Sequence, residues 1–213
     1  MMQGVAKNFP SCEIQLGVAK VKRFMIKEEE AEMYNIRTLM SYGNAIERVD
    51  AGEFVKLYVN GVLMMSDTRM ERLTNYDLIK NVHGEVMIAG LGIGLILENI
   101  IPLYKEGKIT KVVVYEKYKD VIDLVAHRYL NRLPLEVRCE DILEYKPKKE
   151  EKYDTLYFDI WPNISTDNLE QIKLLHNRWK MHKKEGSWMN SWMAEFLRKR
   201  RREERREERR YHW

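Results

Sequence analysis

Residues 90–94, Gly-Leu-Gly-Ile-Gly, are the part of the sequence best suited to bind a ligand. They follow the apolar run 86–89 and precede residues with helical spacing, so a buried strand is expected to end where this glycine segment begins. Glycine permits a tight turn there and lets a ligand approach the bare backbone. A dinucleotide-binding fingerprint would require a third glycine or alanine at position 95, which is Leu95. The spacing therefore disfavours a nicotinamide dinucleotide.

Three carboxylates, Glu116, Asp141 and Asp159, stand at or just after the ends of later predicted strands. Ligands of open parallel sheets bind beyond the carboxyl ends of the strands, so these side chains and the glycine segment are expected to share one crevice. Glu116 could accept hydrogen bonds from both ribose hydroxyls of an adenosine-type ligand, and Asp141 could accept from an exocyclic amine.

Each of these carboxylates also has an ordinary structural interpretation. Glu116 and Asp141, taken singly, are equally well explained as strand-end carboxylates that face water. Asp159 could cap the helix that follows it, and Tyr157 and Trp161 are more often packing residues than substrate-stacking ones. The order of all four features along the chain favours a shared site.

In that order, over residues 85–193, the four features resemble the class I S-adenosylmethionine-dependent methyltransferases. In that family the acidic residue after the second strand holds the ribose and the one after the third contacts the adenine, which is what the resemblance implies for Glu116 and Asp141. It also implies S-adenosylmethionine as cofactor, an unidentified methyl acceptor, and Asp159 as the candidate catalytic group. The cofactor-binding residues implied are Gly90, Leu91, Gly92, Gly94, Glu116, Lys117, Asp141, Ile142 and Asp159.

Residues 57–64, which precede a helix and the glycine segment, are similar to the approach to the nucleotide domain in spermidine synthases and other polyamine aminopropyltransferases. Those enzymes also begin with a small β-domain, which makes a homodimer through it an expectation. Their loop after the fourth strand reads Asp-x-x-Asp-Pro, whereas here Pro162 stands in place of the second aspartate, and Met64 stands where they commonly have glutamine. A methyltransferase of this branch is the leading hypothesis. An aminopropyltransferase-like protein and a non-catalytic cofactor-binding or assembly module are the alternatives.

The elements that must position these residues fall into three segments. Residues 1–66 are predicted to form a small β-rich domain with an Asn60-Gly61 hairpin. Its predicted strands are 18–26, 34–40, 54–59 and 62–65, with an acidic loop or helical turn at 28–32. Residues 67–197 are predicted to form an α/β domain, and 198–213 a charged tail that is helical or disordered.

Alternation of strands and helices predicts the fold of the α/β domain. Thr68 and Glu71 match a capping box that would begin a helix, and Gly84 would end it in the left-handed conformation. The predicted strands are 85–89, 111–116, 135–139, 154–159 and 187–193, with helices at 94–104, 118–130 and 168–183 between them. This alternation predicts a Rossmann-like, doubly wound, mostly parallel sheet with helices on both faces.

The charge is concentrated in the tail. The 213 residues carry a net charge of +4, but 198–210 hold nine basic residues and four glutamates, which leaves 28 basic and 29 acidic residues elsewhere. The interspersed glutamates weaken the potential that a nucleic acid would feel, so only weak contact with one is expected, and it is not favoured.

Two cysteines, Cys12 and Cys139, are too few for a disulfide framework or a paired-cysteine zinc site, and no metal site is predicted. The N-terminus lacks the apolar run of a signal peptide, and no stretch approaches the roughly 18 apolar residues that would span a bilayer. A cytoplasmic protein without a membrane partner is the expectation.

Overall fold

An antiparallel sheet occupies the first part of the chain in the computed structural model, which describes residues 2–42 and 48–211. Its strands, in spatial order, are β1 (Ile14–Leu16), β2 (Ala19–Ile26), β3 (Gly52–Val59) and β4 (Val62–Ser66). Asn60 and Gly61 connect β3 to β4 with φ of 50° and 77°, as the hairpin prediction requires.

The predicted strand at 34–40 is wrong, because these residues belong to helix α1 (Glu28–Tyr42). Glu28, Glu29 and Glu30 occupy the first turn, where their charges interact favourably with the positive end of the helix dipole. The helical-turn alternative for residues 28–32 was therefore the correct one.

Two short helices, α2 (Arg69–Thr74) and α3 (Tyr76–Asn81), follow the antiparallel sheet. Thr68 makes no side-chain capping bond, and its hydroxyl instead lies 3.0 Å from that of Ser66, so the capping box is absent. Gly84 does not end a helix: it begins strand β5 with φ of 64°, beside the Asp154 carboxylate.

A five-stranded parallel sheet flanked by helices follows, which confirms the predicted α/β fold. The spatial order of its strands is β7-β6-β5-β8-β9, so the strand order reverses at β5. The strands are β5 (Gly84–Ala89), β6 (Ile109–Glu116), β7 (Leu135–Cys139), β8 (Tyr153–Phe158) and β9 (Lys183–Ser191). The helices are α4 (Leu95–Lys105), α5 (Lys119–Val125), α6 (Asn168–Trp179) and α7 (Ala194–Tyr211).

Asp67 lies at the junction of the two sheets, fully buried. Its carboxylate accepts hydrogen bonds from the backbone N–H groups of Val5 (2.7 Å), Ala6 (3.0 Å) and Val55 (2.7 Å). A buried carboxylate is stable when backbone donors surround it, so these bonds hold the N-terminal segment and β3 against the chain that leads into α2. The domain boundary predicted at 66/67 falls at this junction, and it stays a prediction.

Helix α7 carries the charged tail as far as Tyr211. Pairs such as Lys199–Glu203 (3.9 Å) and Arg200–Glu204 (3.3 Å), four residues apart, offset part of its repulsion between like charges. Within 2–42 and 48–211, no helix is long and apolar enough to cross a membrane. Nucleic-acid contact by this helix and a homodimer through the first sheet stay predictions.

Candidate functional site

A cavity of about 410 Å³ opens beyond the carboxyl ends of β5 to β8, where the order of the strands reverses. Its volume falls within the range of about 300–1,000 Å³ that small-molecule sites occupy. Of the predicted binding residues, those that line it are Gly90, Leu91, Gly92, Glu116, Lys117, Asp141, Ile142 and Asp159. Gly94 is not among its lining residues.

The glycine segment begins at the end of β5. Its first two residues of this type, Gly90 and Gly92, must be glycine because neighbouring parts of the chain pack directly against their backbone. Gly90 has φ of 97°, and a Cβ there would lie 2.0 Å from the backbone oxygen of Asp159. Gly92 has φ of 52°, and a Cβ there would lie 2.1 Å from Sδ of Met65. The first glycine therefore lets β5 pass close to the end of β8, and the second makes room for the antiparallel sheet at the cavity.

Glu116, at the end of β6, holds the glycine segment through a hydrogen bond to its backbone. Its Oε2 accepts a hydrogen bond from the Leu91 N–H and its Oε1 from the Tyr118 N–H, both at 2.9 Å. Burial raises the pKa of this carboxyl, and the backbone N–H groups partly offset the effect. Each carboxylate oxygen retains acceptor capacity beyond these two bonds, so Glu116 can also receive hydroxyl donors of a ligand.

Lys117 and Asp141 join the loops after β6 and β7 at the rim of the cavity. Nζ of Lys117 lies 2.9 Å from Oδ2 of Asp141, and Oδ1 of Asp141 accepts from the Leu143 N–H at 2.9 Å. Burial opposes ionisation of Asp141, but these partners outweigh it and hold its pKa below the usual range. The ion pair was not expected from the sequence, although both residues were.

Asp159 faces the cavity together with Glu71 of α2, a residue that sequence analysis assigned only to a capping box. Glu71 is 8% exposed, and burial, with the nearby charge of Asp159, raises its pKa to about 8. Burial raises the pKa of Asp159 to about 7, against the effect of a hydrogen bond from Asn75. The Asn75 side chain is itself fixed by the Tyr157 hydroxyl, which donates to its Oδ1 at 2.8 Å.

An apolar wall covers the side of the cavity nearest the antiparallel sheet. It is formed by Leu57, Val59, Val62, Met64 and Met65 of the β3–β4 hairpin. Sδ of Met65 accepts a hydrogen bond from the Ile93 N–H at 3.4 Å, so this wall touches the glycine segment directly.

Trp161 and Pro162 extend this wall after β8. Nε1 of Trp161 donates to Oε1 of Gln171 at 2.6 Å, which fixes the orientation of the indole ring. The cavity thus combines an apolar wall with a row of carboxyl groups.

Gly94 packs behind the cavity, where it precedes α4 with φ of 76°. A Cβ at this position would lie 2.3 Å from Cε2 of the buried Tyr129 ring. We expect Gly94→Ala to lower the free energy of unfolding by about 2 kcal/mol or more, because overlap with a buried ring adds to backbone strain.

Gly107→Ala is the matched control, since Gly107 has the same φ of 76° and nothing lies within 4 Å of its Cβ position. Urea unfolding of both variants separates the overlap from the strain of the backbone. Equal losses of stability in the two variants would show that Tyr129 is not the constraint.

No family model and no curated protein matches this sequence. Solved structures do match, among them an S-adenosylmethionine-dependent methyltransferase from Clostridium acetobutylicum. That match has a TM-score of 0.41 and 16% identity, and it covers 57% of this chain and 49% of the other.

Two further structures are similar to the same extent. The DhpI–SAM–HEP complex has a TM-score of 0.44 and 12% identity, with coverage of 76% of this chain and 60% of the other. The N-methyltransferase NodS from Bradyrhizobium japonicum, in complex with S-adenosyl-L-homocysteine, has a TM-score of 0.43 and 13% identity, with coverage of 57% and 58%. The matches thus span about half of the length of these proteins, and likeness at such TM-scores assigns neither a reaction nor a ligand to this chain.

Proposed function

We propose that this chain binds S-adenosylmethionine in the cavity and transfers its methyl group to an acceptor. The observation that carries the proposal is the excess of carboxyl groups over cationic groups in the cavity beside the glycine segment. Its ionisable lining comprises five carboxyl groups and one lysine, namely Glu71, Glu116, Glu140, Asp141, Asp159 and Lys117. The raised pKa values of Glu71 and Asp159 leave these two partly protonated near neutral pH, and the remaining carboxyl groups still outnumber the lysine. Such a lining attracts a sulfonium cation and repels the phosphates of a dinucleotide.

The residues present suit the cofactor's adenosine end. Glu116 would accept the ribose hydroxyls with its remaining lone pairs while it holds the Leu91 N–H. Asp141, aligned by Lys117, would accept from the adenine amine, and Ile142, which is buried, would pack against the ring. Gly90 and Gly92 bring bare backbone to the lining of the cavity.

When bound, S-adenosylmethionine supplies an electrophilic methyl group. Transfer of that group requires chiefly alignment of a nucleophile and exclusion of water. The apolar hairpin wall and Trp161 would exclude water, and Asp159 would accept a proton from the acceptor at the edge of the cavity.

The finer assignment, to a methyltransferase of the spermidine synthase-like branch, rests on the sequence of the β3–β4 hairpin. Aminopropyl transfer is a second candidate because Glu71 supplies a carboxyl group that the loop after β8 lacks at Pro162. Incubation with cofactor labelled in the methyl group or in the aminopropyl portion distinguishes the two reactions by the label that the acceptor gains. Retained cofactor binding without any turnover would leave the non-catalytic module.

Titration calorimetry tests the cofactor. We expect S-adenosylmethionine and S-adenosylhomocysteine to bind the folded protein with dissociation constants well below millimolar, because cavity volume, backbone cradle and carboxylates all suit them. Reduced nicotinamide dinucleotide serves as the control ligand and is expected not to bind. If neither sulfur ligand binds below millimolar concentration while circular dichroism shows the protein folded, the proposed function is wrong.

A further inference from the structure

We propose that Glu71 and Asp159, together with the apolar wall, form an acceptor subsite for a protonated amine with an apolar body. The inference rests on the proposed function and deepens it, because it names the chemical class of the methyl acceptor. The sequence pattern assigns Glu71 only to a capping box, which the structure does not form.

Glu71 is a buried carboxyl group without a partner of its own among the described residues. In the described part of the chain, the side-chain hydrogen bonds made to Glu71 reach its backbone oxygen, which accepts from the Asn75 amide and from the Thr74 hydroxyl. It makes no capping bond at the start of α2, and the arginines of that helix, Arg69 and Arg72, lie near Asp50 at 3.7 and 3.4 Å instead. A carboxyl buried in this way costs free energy unless a ligand satisfies it. Its side chain lines the cavity, so the group that would satisfy it enters from there.

The charge state of the pair favours a cation. With pKa values of about 8 for Glu71 and about 7 for Asp159, the two carboxyls together retain more than one proton near neutral pH. A cation between them stabilises both ionised forms, so its binding displaces protons.

The other titratable groups around the pair do not supply that cation. Glu116, Lys117, Glu140 and Asp141 line the cavity near the ends of β6 and β7, and Lys117 is already paired with Asp141. Tyr157 donates its hydroxyl to Asn75, and Asp77, whose charge also acts on Tyr157, adds a further negative group.

The apolar wall sets the remainder of the acceptor. Leu57, Val59, Val62 and Met64 face the cavity from the hairpin, and the fixed ring of Trp161 faces it from the loop after β8. A small hydrated cation would gain nothing from these side chains, whereas an alkyl or aryl amine would bury its body against them.

The transfer step then follows from ordinary nucleophilic substitution. The ammonium gives one proton to the Asp159 carboxylate and becomes a neutral amine with a free lone pair. That lone pair forms the new nitrogen–carbon bond while the carbon–sulfur bond breaks and its electron pair passes to sulfur. The raised pKa of Asp159 brings the base closer to the pKa of an amine, which makes the first proton transfer less unfavourable.

Calorimetry on the full chain saturated with S-adenosylhomocysteine tests this subsite. The probes are hexylamine and 2-phenylethylamine, with hexanol and 2-phenylethanol as neutral analogues, each titrated near pH 7.5 in phosphate and in Tris buffer. We expect the amines to bind, the alcohols to bind at least tenfold more weakly, and the buffer dependence of the enthalpy to show proton release on amine binding. Failure of both amines to bind, or equal binding of the alcohols, would overturn the proposal.

Glu71→Gln is the decisive variant. It is expected to weaken amine binding at least tenfold, about 1.4 kcal/mol, to abolish part of the proton release, and to leave S-adenosylhomocysteine affinity within twofold. Glu32→Gln, an exposed carboxyl that does not line the cavity, is the control and should leave amine binding unchanged.

Binding of S-adenosylhomocysteine by the Glu71→Gln variant shows that its site is folded. Glu71→Asp keeps the carboxyl group and should retain more amine affinity than Glu71→Gln. Equal amine affinity in wild type and Glu71→Gln contradicts the inference. Absence of S-adenosylhomocysteine binding in the wild type contradicts the proposed function instead.

Discussion

Glu116→Gln is expected to weaken S-adenosylmethionine binding at least 100-fold, about 2.7 kcal/mol. The wild-type carboxylate accepts from two backbone N–H groups, those of Leu91 and Tyr118. An amide has one oxygen and one NH₂ group, so one of the two N–H groups would face a donor and lose its bond. The glycine segment would lose its fixed position, and the cofactor would lose an ionised acceptor for its ribose.

The same change should lower the free energy of unfolding by about 1–3 kcal/mol, because it leaves a buried donor unsatisfied. Calorimetry and urea unfolding measure the two effects. Glu32→Gln is again the control, because Glu32 is exposed and does not line the cavity, and we expect the cofactor affinity of this variant to change less than threefold. Unchanged affinity in Glu116→Gln would show that Glu116 has only a structural role.

Glu71→Gln is expected to stabilise the protein in alkaline solution while it impairs the site. The pKa of Glu71 is raised from 4.5 to about 8 on folding, so the folded chain retains a proton that the unfolded chain has lost over this interval. Its contribution to stability is fully present below the unfolded pKa and decreases as pH rises through the folded pKa. Glutamine stays neutral at every pH and has nearly the same shape.

Relative to wild type, Glu71→Gln should therefore gain about 4 kcal/mol in free energy of unfolding between about pH 5 and pH 9, because each unit of pKa difference corresponds to about 1.4 kcal/mol. Urea unfolding at several pH values measures the gain. Asp159, with its pKa of about 7, contributes to wild-type stability in the same direction and remains in the variant. Glu32→Gln, on the exposed side of α1, is the control and should show no such trend. A difference between variant and wild type that does not change with pH would mean that Glu71 is ionised in the folded protein.

The parallel sheet could be predicted because its signals are local. The three central strands, β5, β6 and β8, contain apolar runs, and the glycine segment marks the end of β5. Helix α1, which replaces the predicted strand at 34–40, could not be found in this way. Residues 34–40 contain several apolar side chains, and only the folded chain shows that some of them are exposed, such as Leu39 at 73%. Glutamates at the helix start were the better signal there.

The site was predicted at the ends of the strands and missed where the two sheets meet. Glu116 and Asp141 stand at or just after the ends of strands that the sequence predicts, so their positions could be predicted without knowledge of the tertiary packing. Glu71 lies on a short helix whose orientation depends on the antiparallel sheet and on Asp67, and its local sequence matched a motif that does not form. Met65 was missed for the same reason, since its contact with Ile93 joins residues 28 positions apart.

The β3–β4 hairpin and the parallel sheet contribute separate parts of the cavity lining. Every side chain that the antiparallel sheet contributes to the described cavity lies within residues 57–65, whereas the groups suited to the adenosine end all follow position 89. These two stretches are separate in sequence. Replacement of the hairpin would therefore change the apolar wall that contacts the acceptor and would leave Glu116 and Asp141 in place. Met65 is the exception among these hairpin residues, because it lines the cavity and its sulfur also fills the space beside Gly92 in the glycine segment. A library randomised at Leu57, Val59, Val62 and Met64 thus addresses selectivity separately from cofactor affinity.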